Sequence, residues 1–233
     1  MLGSSDILGE ALLEFLKDGT NHKLTAHTSY GPDETYFLDY FFRDLDDMPD
    51  LEQYALTLCN GKILEIGAGA GSHALLLQEE RNDIVAMDTS PGCVNVMLKR
   101  GLLKVQHMNI FNLPTGGYNT LLLLMNGIGI AGNLGGLVRL LKKAEDITAS
   151  QAQIIFDSTD VSYTLNKDSL ETGRYVGEMK YQFDYRGVKG PWFDWLYIDQ
   201  ERLIEMCNKT QWMPQILFED GKGHYLARLL KKY

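Results

Sequence analysis

Three glycines at alternate positions, Gly67, Gly69 and Gly71, follow the short apolar run Ile63-Leu64-Glu65-Ile66 and lead into Ser72-His73 and the helix start Ala74-Leu75-Leu76-Leu77. A turn without Cβ atoms lets a ligand approach the backbone closely, and the helix behind it aims its unpaired N–H groups at the same spot. The next apolar run, Ile84-Val85-Ala86-Met87, ends in Asp88, about 20 residues beyond the first glycine, where a carboxylate accepts bonds from two ribose hydroxyls. Glycine turn and acid together describe a binding site for an adenosine-containing molecule.

Positioning such a site requires strands and helices in alternation. From Lys62 onward, short apolar strands alternate with amphipathic helices, the pattern of a parallel sheet covered on both faces. The strands are Ile63 to Ile66, Ile84 to Met87, Lys104 to Met108, Thr120 to Met125 and Gln153 to Phe156. Ser90 and Pro91 open one helix, which ends at Gly101, and Leu134, Leu137, Val138, Leu141 and Ala144 mark another. After the fifth strand a polar loop runs from Asp157. Two strand-like runs, Glu178 to Tyr185 and Trp192 to Ile198, then flank the turn residues 186–190, which makes residues 161–198 a hairpin insertion on the substrate side. A helix from Asp199 to Asn208 precedes two closing strands, Gln215 to Phe218 and Tyr225 to Leu230. The turn Asp220-Gly221-Lys222-Gly223 between them is too short for a parallel crossover, so they are antiparallel.

The first 50 residues read differently, as a helical cap. Asp6 caps a helix through Leu16 that stops at Gly19; Lys23 to Pro32 is extended; a second helix is expected within Glu34 to Leu45, carrying Tyr36, Phe37, Tyr40 and Phe41; a third runs from Pro49 to Leu58. The expected architecture is therefore an α/β domain over residues 51–233, with a doubly wound, mostly parallel seven-stranded sheet and an antiparallel C-terminal hairpin, preceded by the cap at 1–50.

Charge narrows the partners. With 31 acidic against 22 basic residues in a chain of 233, the net charge of −9 argues against a nucleic-acid backbone as the main partner. The acidity concentrates between Gly31 and Thr57, which would repel anions. The opening residues carry no basic run, and the most apolar stretch, Leu121 to Ala131, is interrupted by Asn126 and glycines and too short to span a bilayer. The expected location is the cytoplasm, with no membrane partner. Cys59, Cys93 and Cys207 form no C-x-x-C pair and read as reduced packing residues; His22, His27, His107 and His224 are too scattered for a ligand set, so no metal site is expected. The oligomeric state is not legible.

An acid-tipped second strand suits an NAD(P)-dependent oxidoreductase equally well, and Tyr163 with Lys167 supplies one Tyr-x-x-x-Lys spacing, though in a polar loop. The closing antiparallel hairpin favours a different family. Together with Leu64-Glu65-Ile66-Gly67-Ala68-Gly69-Ala70-Gly71, it resembles the class I S-adenosylmethionine-dependent methyltransferases over about Leu51 to Lys231, with the Rossmann-like fold of that family. The resemblance implies S-adenosylmethionine as cofactor. It places Gly67, Gly69 and Gly71 along the methionine and ribose, Glu65 at the ammonium and Asp88 at the ribose hydroxyls, with Ala68 and Thr89 also among the cofactor-binding residues. Asn109 and Ile110 fall at the adenine, and Asn126 beside the transferable methyl. Asn109 stands where the family often has Asp, and Asn126-Gly127 matches neither an N-P-P-Y motif nor a metal-binding acid.

Methyl transfer from a sulfonium is an in-line displacement with an activated leaving group, so alignment and exclusion of water matter most. For a hydroxyl or ammonium acceptor a base must take a proton, and the candidates are Asp157 and Asp160 after the fifth strand and Glu178 or Tyr181 in the insertion. These carboxylates and the acidic cap favour a small neutral or cationic acceptor. A non-catalytic cofactor-binding sensor or partner subunit fits the same residues.

Overall fold

The computed structural model describes residues 6–29, 31–80, 83–162 and 174–232. Its centre is a sheet of seven strands: β3 (Ile63–Ile66), β4 (Ile84–Asp88), β5 (Val105–His107), β6 (Tyr118–Leu123), β7 (Thr148–Thr159), β11 (Trp212–Glu219) and β12 (His224–Lys231). The order is β11-β12-β7-β6-β3-β4-β5. The five strands from β3 to β7 are parallel, and β12 inserts antiparallel between β7 and β11. This is the doubly wound sheet with a closing hairpin that the apolar runs predict.

Consecutive apolar residues in these strands serve opposite layers. Leu121, Leu123, Ile154 and Phe156 pack with α5 (Leu134–Ile147), α6 (Gln200–Cys207) and the fully buried Trp212. Leu122, Ile155 and Leu226 pack with α2 (Asp50–Leu58) and α3 (Ser72–Glu80) on the other face. A strand buried on both faces has no reason to alternate apolar with polar.

β7 is longer than the apolar run Gln153 to Phe156, because β12 pairs along it: Leu226 faces Asp157, Tyr225 faces Ser158 and His224 faces Thr159. Asp157 is therefore a buried strand residue and not the start of a polar loop.

Within the expected helical cap, the helix read inside Glu34 to Leu45 is corrected. α1 (Ile7–Asp18) forms as read, capped by Asp6 at one end and by Gly19 at φ 73° at the other. It crosses α4 (Pro91–Lys99) so closely that a Cβ on Gly92 would lie 2.5 Å from the Gly9 backbone, and Asp6 Oδ2 also accepts the Gly92 N–H at 2.8 Å. Residues 34–45, however, do not form a helix. They make strand β2 (Glu34–Phe37) and two 3-10 turns, Leu38–Phe42 and Leu45–Asp47.

β2 pairs with β1 (Lys23–Thr28), and β1 pairs with β8 (Glu178–Tyr185) of the insertion, giving a second, antiparallel sheet in the order β10-β8-β1-β2, with β10 spanning Phe193–Leu196 and the short β9 (Val188–Lys189) also on β8. A period of two explains the residues better than the helical spacing. Across the register Tyr36, Glu34, Leu24, Ala26, Tyr181, Phe183, Tyr185, Phe193 and Trp195 share one face, while Thr35, Phe37, Thr25, His27, Lys180, Asp184 and Asp194 share the other. The first face is turned to the parallel sheet. Tyr185 and Leu24 join the α1 core, and Trp195 lies on the 3-10 helix Gly127–Ala131, where a Cβ on Gly129 would come within 2.2 Å of the indole. The second sheet thus roofs the C-terminal ends of β6 and β7.

Candidate active site

The glycine turn is open where a ligand would need space and closed where it would not. A Cβ on Gly69 would meet nothing within 4 Å, and one on Gly67 only Ile130 Cγ2 at 4.0 Å; both residues have positive φ, 57° and 73°. These two positions form a cradle that a side chain would fill. At Gly71 a Cβ would instead lie 2.7 Å from Leu102 and 2.9 Å from Met97, so the missing side chain there lets the turn pack closely on those residues. The N–H groups of Gly67 and Ala68 both donate to Met87 O, tying the turn to the end of β4.

Asp88 meets the turn directly. Its Oδ2 accepts the Gly69 N–H at 2.9 Å and its Oδ1 the Ser90 N–H at 2.8 Å. Burial pushes its carboxyl up and these backbone donors only partly offset it. Neighbouring Thr89 is exposed, and its carbonyl accepts from His107. Asn109 caps the 3-10 turn Ile110–Asn112 through Oδ1, and the Ile110 side chain is buried in the core, so the apolar side chain left exposed there is Phe111.

Glu65, at the end of β3, is 3% exposed. Its Oε1 lies 3.1 Å from His73 Nδ1, and its Oε2 is buried with no hydrogen-bond partner among the described residues. An orphaned oxygen on a buried carboxylate is costly unless a donor arrives. The open cradle, Asp88 beside it and this waiting oxygen fit a nucleoside carrying an amino-acid ammonium.

At the neighbouring end of β6 the backbone is strained, with Met125 and Asn126 both left-handed, at φ 59° and 54°. Two successive non-glycine residues in that region cost roughly 1 kcal/mol or more each and cluster at functional sites. The Asn126 N–H donates to Asp157 Oδ2 at 2.9 Å, and Thr159 Oγ1 donates to Asn126 Oδ1 at 3.3 Å. His224 Nε2 lies 2.8 Å from the same Asp157 oxygen, and this contact raises the imidazole's pKa. Asp157 Oδ1 is, like Glu65 Oε2, buried without a partner among the described residues.

The remaining candidates separate. Tyr181 is on the inner face of the roof and donates to Glu34 Oε1 at 2.9 Å; its hydroxyl lies 3.0 Å from that of Tyr197, and Tyr36 donates to the other Glu34 oxygen. Burial first, then Tyr197 and Glu34, push the Tyr181 phenol well above its ordinary range, so it acts as a donor and not as a base. Glu178 accepts the Leu134 N–H at 2.9 Å and caps α5, and Asp160 accepts the Ser162 N–H in a turn. Asp160 lines an open, acidic cavity of about 660 Å³ with Tyr175, Asp199, Glu219 and His224. Among the described residues no group of three His, Cys, Asp or Glu side chains is placed to hold a metal ion. Tyr163 and Lys167 lie outside the described residues.

Sequence reasoning missed Glu34, Arg43, Glu52 and His224. Each is brought in by pairing or packing between distant segments, and no local spacing signals them.

No protein-family profile matches the chain, and no curated protein does. Solved structures do. A SAM-dependent methyltransferase from Bacteroides fragilis, in complex with S-adenosyl-L-homocysteine, is 31% identical with a TM-score of 0.91, over 100% of this chain and 98% of that one. The sugar N-methyltransferase KedS8 from a Streptoalloteichus species shares the fold at 14% identity and a TM-score of 0.62, over 88% and 96% of the two chains. An S-adenosylmethionine-dependent methyltransferase from Clostridium acetobutylicum does so at 12% and 0.58, over 84% and 96%. With the glycine cradle, the acid-tipped β4 and the inserted β12, these likenesses settle the choice between methyltransferase and oxidoreductase: the chain belongs to the class I S-adenosylmethionine-dependent methyltransferases.

Proposed function

We propose that this methyltransferase acts on a small neutral or cationic acceptor, foremost an amine, seated between the roof sheet and the ends of β6 and β7. One observation carries this reading: Asp157, 1% exposed, has one oxygen engaged by both Asn126 and His224 and the other engaged by no described residue. A buried, half-satisfied carboxylate beside a strained strand end calls for a donor, and an amine N–H is one. Glu34 and the tyrosine hydroxyls of the roof add further acceptors and donors, and the acidic segment between Gly31 and Thr57 disfavours phosphorylated or carboxylated acceptors.

The cofactor supplies a methyl group already activated on a sulfonium. On our reading Gly67, Ala68 and Gly69 hold it along the main chain, Glu65 takes its ammonium, and Asp88 beside Thr89 takes the ribose. The main chain around Asn109 and Ile110 flanks the adenine, and Asn126 stands nearest the reacting centre. Asp157 orients the acceptor through Oδ1, and its charge stabilises the positive charge that grows on the attacked nitrogen. His224 and the Asn126 N–H hold the other oxygen in place. The roof's aromatic face excludes water. We infer a cytoplasmic setting, supported by three buried cysteine thiols that form no disulfide.

The test incubates the protein with methyl-labelled S-adenosylmethionine and a panel of amines, alcohols, carboxylates and phosphates. Amino sugars head the amines, because KedS8 and the amino pentose methyltransferase CalS10 share the fold. Label in amines, and far less of it after Asp157→Asn, supports the reading. Label chiefly in anionic acceptors, or product from none, overturns it.

A further inference from the structure

Glu65 does not stand alone in its wall. His73, on the first turn of α3, touches Glu65 Oε1 through Nδ1 at 3.1 Å and Glu52 Oε2 through Nε2 at 2.9 Å. Glu52, on α2, also accepts from Arg43 Nη2, at 3.0 Å on Oε1 and 2.8 Å on Oε2. The guanidinium carbon of Arg43 lies 4.0 Å from the centre of the Tyr40 ring. Glu65, His73 and Glu52 are each no more than 5% exposed. The charges alternate along the row.

An imidazole with a carboxylate at each nitrogen must donate from both, so the species is the cation. Burial alone would lower its pKa; the two carboxylates override this and raise it to about 9. A buried carboxylate without a cation would protonate instead. His73 pairs with Glu65 in an apolar wall, and by occupying Oε1 it leaves Oε2 as the one oxygen presented.

The row also fastens the segment that carries Tyr40 and Arg43 to the glycine turn. Ser72 Oγ donates to Phe41 O at 2.8 Å, Arg100 donates to Ala70 O at 2.7 Å, and the Arg100 guanidinium carbon lies 4.9 Å from the Phe42 ring centre.

We propose that His73, backed by Glu52 and Arg43, is a positioning residue for the cofactor's ammonium, acting through Glu65. This rests on the reading that Glu65 takes that ammonium. It separates two ligands that share a nucleoside: S-adenosylhomocysteine has the amino-acid tail, and 5′-methylthioadenosine lacks it.

Calorimetric titration of both ligands tests the proposal on the wild type, His73→Asn, Glu65→Gln and the double variant. We expect His73→Asn to weaken S-adenosylhomocysteine tenfold or more while 5′-methylthioadenosine changes less than twofold. In the double variant the second change should add less than threefold. Equal weakening of both ligands by His73→Asn would make the residue merely structural and overturn the proposal, as would no weakening of either. If Glu65→Gln leaves the ratio of the two affinities unchanged, the underlying assignment of Glu65 fails instead. Should His73→Asn not fold, Glu52→Gln breaks the far end of the row, and the same selective loss is expected, at a few-fold; its absence overturns the proposal.

Discussion

Two strands that the chain reaches 67 residues apart bring His224 Nε2 to within 2.8 Å of Asp157 Oδ2. The imidazole shares that oxygen with the Asn126 N–H, so the second oxygen of Asp157 faces away from both. Replacing Asp157 by Asn keeps the shape and removes the charge. We expect kcat on an accepted amine to fall about 100-fold, the size seen when one preorganised electrostatic group is lost, with S-adenosylhomocysteine affinity nearly unchanged. Steady-state rates at saturating cofactor decide it; an unaltered kcat would remove Asp157 from the reacting centre.

Gly69 and Gly71 make a matched pair for substitution. Gly69→Ala places a methyl group in open space at a φ of 57°, so its stability cost should be about 1 kcal/mol while cofactor binding falls sharply. Gly71→Ala drives the methyl into Leu102 and Met97, and should cost about 1–3 kcal/mol in unfolding. Urea unfolding and calorimetry on both variants check the contrast; the reverse ordering would reassign the two glycines.

Asp88→Ala should weaken S-adenosylhomocysteine by about 1–3 kcal/mol if a charge-assisted ribose bond is lost. Because Asp88 also holds the Gly69 N–H, Asp88→Asn is the milder control. Identical affinities in wild type and Asp88→Ala would exclude the residue from the site.

Stability should depend on pH through His73. Its pKa is raised to about 9 in the fold from the ordinary imidazole value of 6.5, so the stabilisation from its carboxylate partners is complete below pH 6.5 and is lost as pH rises through 9. Glu52 shifts the opposite way: burial opposes its charge, but His73 and Arg43 hold its carboxyl below the ordinary range, and its contribution is lost as pH falls through that lowered value. The groups facing His73 are Glu65 from β3 and Glu52 from α2, with Arg43 and Tyr40 behind Glu52. Urea midpoints should therefore decline between pH 6.5 and 9.5 in the wild type, and decline less in His73→Gln. Parallel curves for the two proteins would contradict this.

The parallel core was legible because its signals are local. Continuous apolar runs, glycine at the turn and Asp88 at the next strand end are each fixed within a few residues. Residues 34–45 misled because Tyr36, Phe37, Tyr40 and Phe41 satisfy a helical period by accident, while the partner that makes Glu34–Phe37 a strand is β1, itself docked on β8 far along the chain. Asp157 stands out in the sequence as an acid near a strand end, but its burial depends on β12. His224 carried no signal, since its neighbour Thr159 is set by a register that only the closed sheet defines. The Glu65–His73–Glu52–Arg43 row is equally non-local, assembled from a strand, two helices and a loop.

The roof over the strand ends interleaves residues 23–37 with residues 178–196, β1 lying directly against β8. Neither half is a self-contained cassette. Grafting the 178–196 stretch of a relative onto this scaffold would leave β1 with an unmatched edge, so an intact roof is moved between scaffolds only when both stretches are transplanted together.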